Sequence, residues 1–370
     1  MIKRINLLFI GILIFSILYN AQGQYVVTKV TDQAVNTTQD GFFYSLPATV
    51  LKVTVVYQRI DKLKGPLADF TLDYLGTSDY IASNSTTYSI IHVDVDHEYI
   101  ADPNQKYYVQ FPTVREKDAQ PVTFNLSASG TLLSFDESSP SELTHQQPVD
   151  QTFIILEGDK GFDLEADYNR KKRQDTITRK ITIDTVSIER FIFKTTWVDK
   201  SDEDKANEAA MQIAKLREGR FNLLTGYQEV NYGESMKYMD EQLLKIEKQY
   251  LELFLGKELK SVESQTIYYT PSKGKPSDVL LDLGNANQVL INIRQQNSNS
   301  VLPEKPIDKV DNIYYRIPEQ ATVEVEFKGK VYFRKIFTIN QLGNVSTAPL
   351  NRTKTQFDPQ TGSLRKIIRE

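Results

Sequence analysis

Residues 235–257 read SMKYMDEQLLKIEKQYLELFLGK, and this stretch decides the fold because its apolar residues recur at helical spacing. Steps of three and four residues put six of them on one stripe of a helix, with Lys and Glu side chains off it. The six are Met236, Met239, Leu243, Ile246, Tyr250 and Leu253. Asn231 and Glu234 fit a capping box at the helix start, and Gly256 suits a left-handed cap at its end. The stretch therefore predicts one amphipathic helix.

The chain just before this helix predicts a second, shorter one. Ala206 and Ile213 lie on one side of it, and the acidic residues 202–204 at its start complement the helix dipole. Gly226 and the glycines near it interrupt the pattern, so the chain turns between the two helices. Residues 201–257 are therefore predicted to form a helical hairpin that packs against the protein's own sheet. The alternative is a coiled coil or partner helix, although the three or four heptads that indicate one are not present.

Strand patterns lie on both sides of the helical hairpin. Leu51, Val53 and Val55 alternate with other residues in the way that is typical of a half-buried strand. Pro66 at a helix start and Gly76 at its end predict one short helix between strands. Dense Thr, Ile, Val and Phe from Thr176 to Trp197 predict two strands that lead to the helices.

The predicted fold class is α+β, mostly antiparallel β-sheet in two β-rich regions with the helical hairpin between them. The N-terminal β-rich region covers residues 24–200 and contains the short helix, and the C-terminal β-rich region covers residues 258–350. Asp102-Pro103-Asn104 predicts a turn between two strands. The basic run Arg170–Arg173 is assigned to a charged connection, and the polar residues 351–370 to a mobile tail. Whether the two regions form one domain or two is left open.

Residues 1–23 have the three parts of a secretory signal peptide. Two basic residues precede an apolar run from Leu7 to Leu18, and Ala21-Gln22-Gly23 supplies a cleavage site of small residues. The run is too short and wrongly flanked for a good membrane span. We therefore expect export to the periplasm or an association with the outer membrane, with Gln24 first in the mature chain.

Composition excludes several classes of function. The chain has no cysteine, which excludes Cys nucleophiles, Cys-ligated zinc and iron–sulfur clusters. Its formal net charge is −4 at pH 7, and loss of the two basic residues of the signal peptide makes the mature chain more acidic. An acidic chain of mixed charge argues against a nucleic-acid partner. No transmembrane segment is expected after cleavage of the signal peptide.

Six stretches, taken together in their order and spacing, carry a family resemblance. They are Tyr44–Val55, Gly65–Gly76, Val122–Phe135, Leu216–Val230, Leu244–Lys257 and Tyr314–Phe327. These stretches cover nearly all of the mature chain, and they resemble a family of exported proteins from Bacteroidota, the domain of unknown function 4831. The resemblance implies a periplasmic or outer-membrane-associated role. It supplies no activity, cofactor or catalytic residue.

His92, Asp94 and Asp96 form the best candidate for a metal site, since zinc binds His and carboxylates, and harder cations bind carboxylates. On a strand these three side chains share one face, whereas His97 points to the other. A solvated strand face explains the same pattern without a metal. An acidic stretch around Gly158 and Gly161 matches a calcium loop poorly and is interpreted as an exposed loop.

Catalysis is poorly supported by the sequence. Three His supply little for Ser-His-Asp chemistry, and the chain has no G-x-S-x-G, phosphate-binding or H-E-x-x-H motif. The leading hypothesis is a non-catalytic binding or structural component of the cell envelope, without a cofactor, whose partners are envelope proteins or glycans. One alternative is a glycan hydrolase with paired carboxylates about 5–9 Å apart. The other is a soluble sugar-binding module with exposed aromatic rings, although packing in the sheets explains most of the aromatics.

Overall fold

The computed structural model describes most of the chain between residues 25 and 369, with gaps. The described residues are 25–31, 40–111, 123–136, 154–157, 161–162, 169–183, 186–227, 233, 235–284, 286–296, 311–350 and 353–369. The predicted signal peptide, most of the acidic stretch and the predicted capping box at Asn231 and Glu234 lie outside them.

Fifteen strands, three α-helices and one 3₁₀ helix, Ala68–Phe70, form the described part of the fold. The strands are β1 Val26–Lys29, β2 Gly41–Leu63, β3 Ser85–Gln110, β4 Phe124–Leu126, β5 Leu132–Phe135, β6 Ile154–Glu157, β7 Arg170–Ile183, β8 Val186–Asp199, β9 Lys257–Tyr269, β10 Ser277–Asp282, β11 Gln288–Gln295, β12 Asn312–Phe327, β13 Lys330–Pro349, β14 Thr353–Phe357 and β15 Leu364–Arg369. The helices are α1 Thr71–Leu75, α2 Asp202–Thr225 and α3 Ser235–Leu255.

The strands form four sheets, with the orders β1-β3-β2-β9-β6, β10-β11-β12-β13, β15-β14-β5-β4 and β7-β8. Neighbouring strands are mostly antiparallel, and α2 and α3 lie between two strand-rich parts of the sequence. The predicted α+β class is therefore confirmed.

The chain divides into two compact units. Unit 1 comprises Met1–Val56, Ile90–Thr152 and Ser264–Glu370, and unit 2 comprises Tyr57–Ser89 and Phe153–Glu263. Both units are therefore built from segments that are distant in sequence. The region boundaries inferred from the sequence stay a prediction.

Aromatic and aliphatic side chains form the core of unit 1. The rings of Tyr44 and Tyr107 stack with centroids 5.4 Å apart, and Tyr107 stacks in turn on Tyr314 at 4.6 Å. The Tyr44 hydroxyl accepts from the backbone N–H of Tyr314 at 3.0 Å, which keeps this buried polar group paired. Leu51, Val53 and Val55 are fully buried, which confirms the alternation predicted for this strand.

The helices of unit 2 pack on each other around a small apolar core. Ala206 and Ile213 of α2 are buried with Leu253 and Phe254 of α3. Along the predicted stripe of α3 only Leu253 is fully buried, whereas Ile246 is 40% exposed. The buried residue next to it is Glu247, whose carboxylate accepts from Arg217 of α2 at 2.6 Å. At this level the two helices therefore meet through the Arg217–Glu247 ion pair, where the spacing predicted an apolar contact by Ile246.

The C-terminal end of α3 is capped by a segment from elsewhere in unit 2. The last carbonyls of a helix lack partners within it. Here the Leu253 carbonyl accepts from the N–H of Leu67 at 2.8 Å, and the Phe254 carbonyl accepts from the Thr71 hydroxyl at 3.0 Å. Gly256 has a φ of 79°, which confirms the predicted left-handed cap.

Four sequence-based expectations are corrected by the structure. The helix preceding α3 is the longer of the two, with 24 residues against 21. Asp102-Pro103-Asn104 is no turn, because β3 runs through it as one strand and Asp102 is buried in an ion pair. The basic run Arg170–Arg173 begins β7. The expected mobile tail contains β14 and β15, and Phe357 in β14 is 1% exposed.

Candidate interaction site on the β7–β8 hairpin

Strands β7 and β8 form a long two-stranded ribbon, which we call the β7–β8 hairpin. Each strand has 14 residues, and the pairing runs without a shift from Arg170 opposite Asp199 to Ile183 opposite Val186. In the part of the chain that the structure describes, these two strands form a sheet of their own. The outer edge of each strand therefore offers backbone N–H and C=O groups that no further described strand pairs.

One face of the β7–β8 hairpin carries a row of exposed aromatic rings. Phe191, Phe193 and Trp197 occupy alternate positions of β8 and so point to the same side of the ribbon. Their exposed fractions are 57%, 63% and 63%. Lys172 lies opposite Trp197, with its ammonium group 5.2 Å from the ring centroid. Large apolar side chains exposed in a row are unusual on a monomer and mark interaction sites.

The other face of the ribbon is mostly cationic, with the carboxylate of Asp175, opposite Lys194, as the one acidic group among its described residues. Arg179 lies directly opposite Arg190, and both residues are exposed. Like charges at directly opposite positions of a sheet destabilise it, so this pair is unfavourable for the isolated ribbon. The neighbouring pair on this face, Ile177 and Ile192, is apolar and 46% and 36% exposed. Across Arg170–Asp199 the sequence has eight Lys or Arg and four Asp or Glu, a formal charge of +4 in a chain of net −4.

The base of the β7–β8 hairpin is tied to the start of α2. Ser201 is the N-cap of α2, and its hydroxyl accepts from the N–H of Asp204 at 3.2 Å. The Asp204 carboxylate accepts from the Lys171 ammonium and from the Ser201 hydroxyl, and these hydrogen bonds lower its pKa to about 2. Asp204, one of the acidic residues predicted to complement the helix dipole, therefore also links the start of β7 to the start of α2.

Sequence reasoning placed the two strands but missed the exposure of their side chains. The aromatics of β8 alternate, as in a strand with one buried face, and were assigned to packing within the sheets. The signal against this assignment was available in the sequence: the intervening positions of β8 include Arg190, Ile192 and Lys194, and β7 begins with four basic residues. Such a hairpin has neither a purely polar face nor a purely apolar one.

The candidate metal residues lie in unit 1 on β3. His92, Asp94 and Asp96 are exposed while Val93 and Val95 are buried, so the three share the solvent-facing side as the alternation predicted. The ring of His97 lies on the other side, 5.5 Å from the ring of Phe337. Among the described residues, no three His, Cys, Asp or Glu side chains are grouped as a metal site requires. The solvated strand face therefore stays the interpretation of these three residues, with a metal site as its alternative.

A groove of about 530 Å³ lies at the turn end of the two long helices in unit 2. Its described lining includes Leu224, Met236 and Asp240. The Asp240 carboxylate accepts from Arg220 at 2.6 Å. Glycoside hydrolysis uses two carboxyl groups, and Asp240 is the one carboxylate among the described residues that line this groove.

A model of one protein family matches residues 40–156 and 160–365, and its description is a domain of unknown function, DUF4831. The chain belongs to this family. The resemblance seen in the sequence is therefore confirmed for the family itself. No curated protein and no solved structure matches the chain. Within the described residues, no helix has both the length and the apolar character needed to cross a membrane. The description of the family gives no activity.

Proposed function

We propose that this DUF4831 protein is an exported, non-catalytic component of the bacterial cell envelope that binds a partner through the β7–β8 hairpin. The observation that carries the proposal is the exposed row of Phe191, Phe193 and Trp197 on a ribbon that no other described strand joins. An isolated two-stranded hairpin is marginally stable in water and gains stability when another surface covers its apolar face. A binding partner supplies such a surface.

Export and a location in the periplasm or at the outer membrane are supported by the sequence of residues 1–23. The basic start, the apolar run and the small residues before Gln24 have the order of a signal peptide. Mass spectrometry of the protein from a cell fractionation tests this part of the proposal. We expect a mature chain that begins at Gln24 in the envelope or periplasmic fraction, whereas a full-length chain in the cytoplasm contradicts it.

Co-purification from envelope extracts tests the binding role. We expect a tagged wild-type protein to retain envelope partners and the double variant Phe191→Ser, Phe193→Ser to lose them. Phe221→Ser is the matched control, because Phe221 on α2 is 66% exposed and belongs to the same unit. Equal recovery of partners by the wild type and the double variant would contradict binding through the hairpin. Recovery of the wild type alone, at stoichiometric purity, would contradict the envelope role.

A further inference from the structure

The outer edge of β8, which no further described strand pairs, has the backbone groups and side chains that specify a partner. Unpaired strand edges act as templates for the addition of another strand. Strand addition is a common mode of peptide recognition, in which backbone hydrogen bonds provide affinity and alternate side chains provide specificity. A third strand would also bring the ribbon to the number of strands that can be stable in water.

The side chains along β8 specify what such a strand must carry. Phe191 and Phe193 point to one face, whereas Arg190, Ile192 and Lys194 point to the other. A strand beside β8 places its own side chains alternately on these two faces. Apolar side chains fit beside the rings, and acidic side chains fit beside Arg190 and Lys194.

The positive charge of the ribbon favours an acidic strand at the β8 edge over a second copy of the chain. Two copies of a ribbon with a formal charge of +4 repel each other, and edge pairing would bring further Arg and Lys side chains close to the Arg179–Arg190 pair. An acidic strand instead relieves the repulsion within that pair.

The unpaired backbone groups at the β8 edge favour a protein strand over a lipid surface as the partner. Anionic lipids attract cationic side chains but cannot reproduce the ladder of backbone hydrogen bonds that the β8 edge offers. Polar backbone groups that enter an apolar layer without partners cost several kcal/mol each. An extended peptide satisfies the edge, the aromatic row and the cations together.

We infer that the edge of β8 binds an extended segment of a partner protein in which apolar and acidic residues alternate. The inference rests on the proposed binding role of the β7–β8 hairpin and names the class of partner.

Trp197 provides a direct readout, because it is the single tryptophan of the chain and lies on the aromatic face. The probe is a capped ten-residue peptide that alternates Val and Glu, titrated into the mature protein while tryptophan emission is recorded. We expect a saturable change in emission with this peptide. A peptide of the same composition in two blocks, five Val then five Glu, and a peptide that alternates Val and Lys should leave the emission unchanged.

A charge reversal tests whether Arg190 and Lys194 determine which peptide binds. Arg190→Glu with Lys194→Glu should weaken binding of the Val–Glu peptide about tenfold or more and create binding of the Val–Lys peptide. Gained binding cannot arise from an unfolded variant, so the result does not depend on equal stability. Lys237→Glu, at an exposed position of α3, is the matched control and should change neither affinity.

Three results would overturn the inference. They are equal binding of the alternating and block peptides, no change in peptide preference after the charge reversal, and a tryptophan response to phosphatidylglycerol vesicles but not to the Val–Glu peptide. The last result assigns the hairpin to a lipid surface. If co-purification depends on Phe191 and Phe193 while the peptide does not bind, the inference fails and the proposed function stands. If co-purification does not depend on these residues, the proposed function itself fails.

Discussion

Arg316 is the residue on which the polar part of the unit 1 core depends. Its side chain is 5% exposed and donates to the Asp102 carboxylate at 2.9 Å and to the Pro47 carbonyl at 2.7 Å. A buried ion pair adds little net stability compared with apolar residues, but the loss of one partner leaves the other charge buried and unpaired. Arg316 joins three segments of the chain that are distant in sequence, so its removal affects all of them.

Arg316→Met should lower the free energy of unfolding by about 3–5 kcal/mol, because it leaves the Asp102 carboxylate buried without its cation. Denaturant unfolding followed by tyrosine circular dichroism measures the change. Lys275→Met is the control within unit 1: its ion pair with Asp278 is partly exposed and should contribute less than about 1 kcal/mol. Equal losses for both variants would mean that burial of the pair does not decide its effect.

Asp204 makes the anchorage of the hairpin base dependent on pH. Its pKa lies at about 2 in the folded protein, below the ordinary 3.8, because Lys171 and Ser201 donate to the carboxylate. The stabilisation is therefore complete above pH 3.8 and is lost as the pH falls toward 2. Asp204→Asn should make the melting temperature less dependent on pH between pH 3.8 and about 2. Thermal unfolding at several pH values measures it, and Asp202→Asn is the control; a curve for the Asp204 variant that matches the wild type would refute the assignment.

At the scale of the elements, the sequence predicted what local spacing determines. The two long helices, the cap at Gly256 and the alternation of Leu51, Val53 and Val55 follow from periodicity and from the conformational freedom of glycine. Local spacing does not show which other helix or strand each element packs against. Periodicity therefore did not indicate that Glu247 is buried and pairs with Arg217 of the other helix. For the same reason it could not show that β7 and β8 pair with no other described strand, which is the basis of the candidate site.

The capped end of α3 depends on a close approach that only glycine allows. A Cβ atom at Gly65 would overlap the backbone carbonyl of Leu253, whereas one at Gly219, within α2, would meet no atom within 4 Å. Gly65→Ala should therefore destabilise unit 2 by an amount typical of overpacking, about 1–3 kcal/mol. Gly219→Ala should stabilise it by up to about 1 kcal/mol through helix propensity. Differential denaturant unfolding measures both, and a stabilising Gly65→Ala would show that the helix end is not held as described.

At the scale of the whole molecule, the end of the sequence completes a core that begins near its start. Phe357 of β14 belongs to the same buried cluster as Tyr44 and Tyr107. β14 also pairs with β5, with Thr355 opposite Phe135. The sequence indicated a mobile tail because the residues after 350 are mostly polar and charged, and a single buried Phe among them gives no periodic signal.

Phe357→Ala should lower the free energy of unfolding of unit 1 by about 3–5 kcal/mol, the range for removal of a buried aromatic ring. Ile368→Ala, at a position of β15 that is 40% exposed, is the control and should have little effect. Urea unfolding of the two variants measures the difference. Near-wild-type stability of Phe357→Ala would restore the interpretation of this segment as a tail.

The placement of Phe357 has a consequence for how the polypeptide is made. The buried cluster of unit 1 needs side chains from positions 44 and 357, so a ribosome must synthesise the segment between them before that cluster can close. Contacts between residues so far apart are slow to form. During synthesis, this buried cluster can therefore close only after Phe357 has left the ribosome.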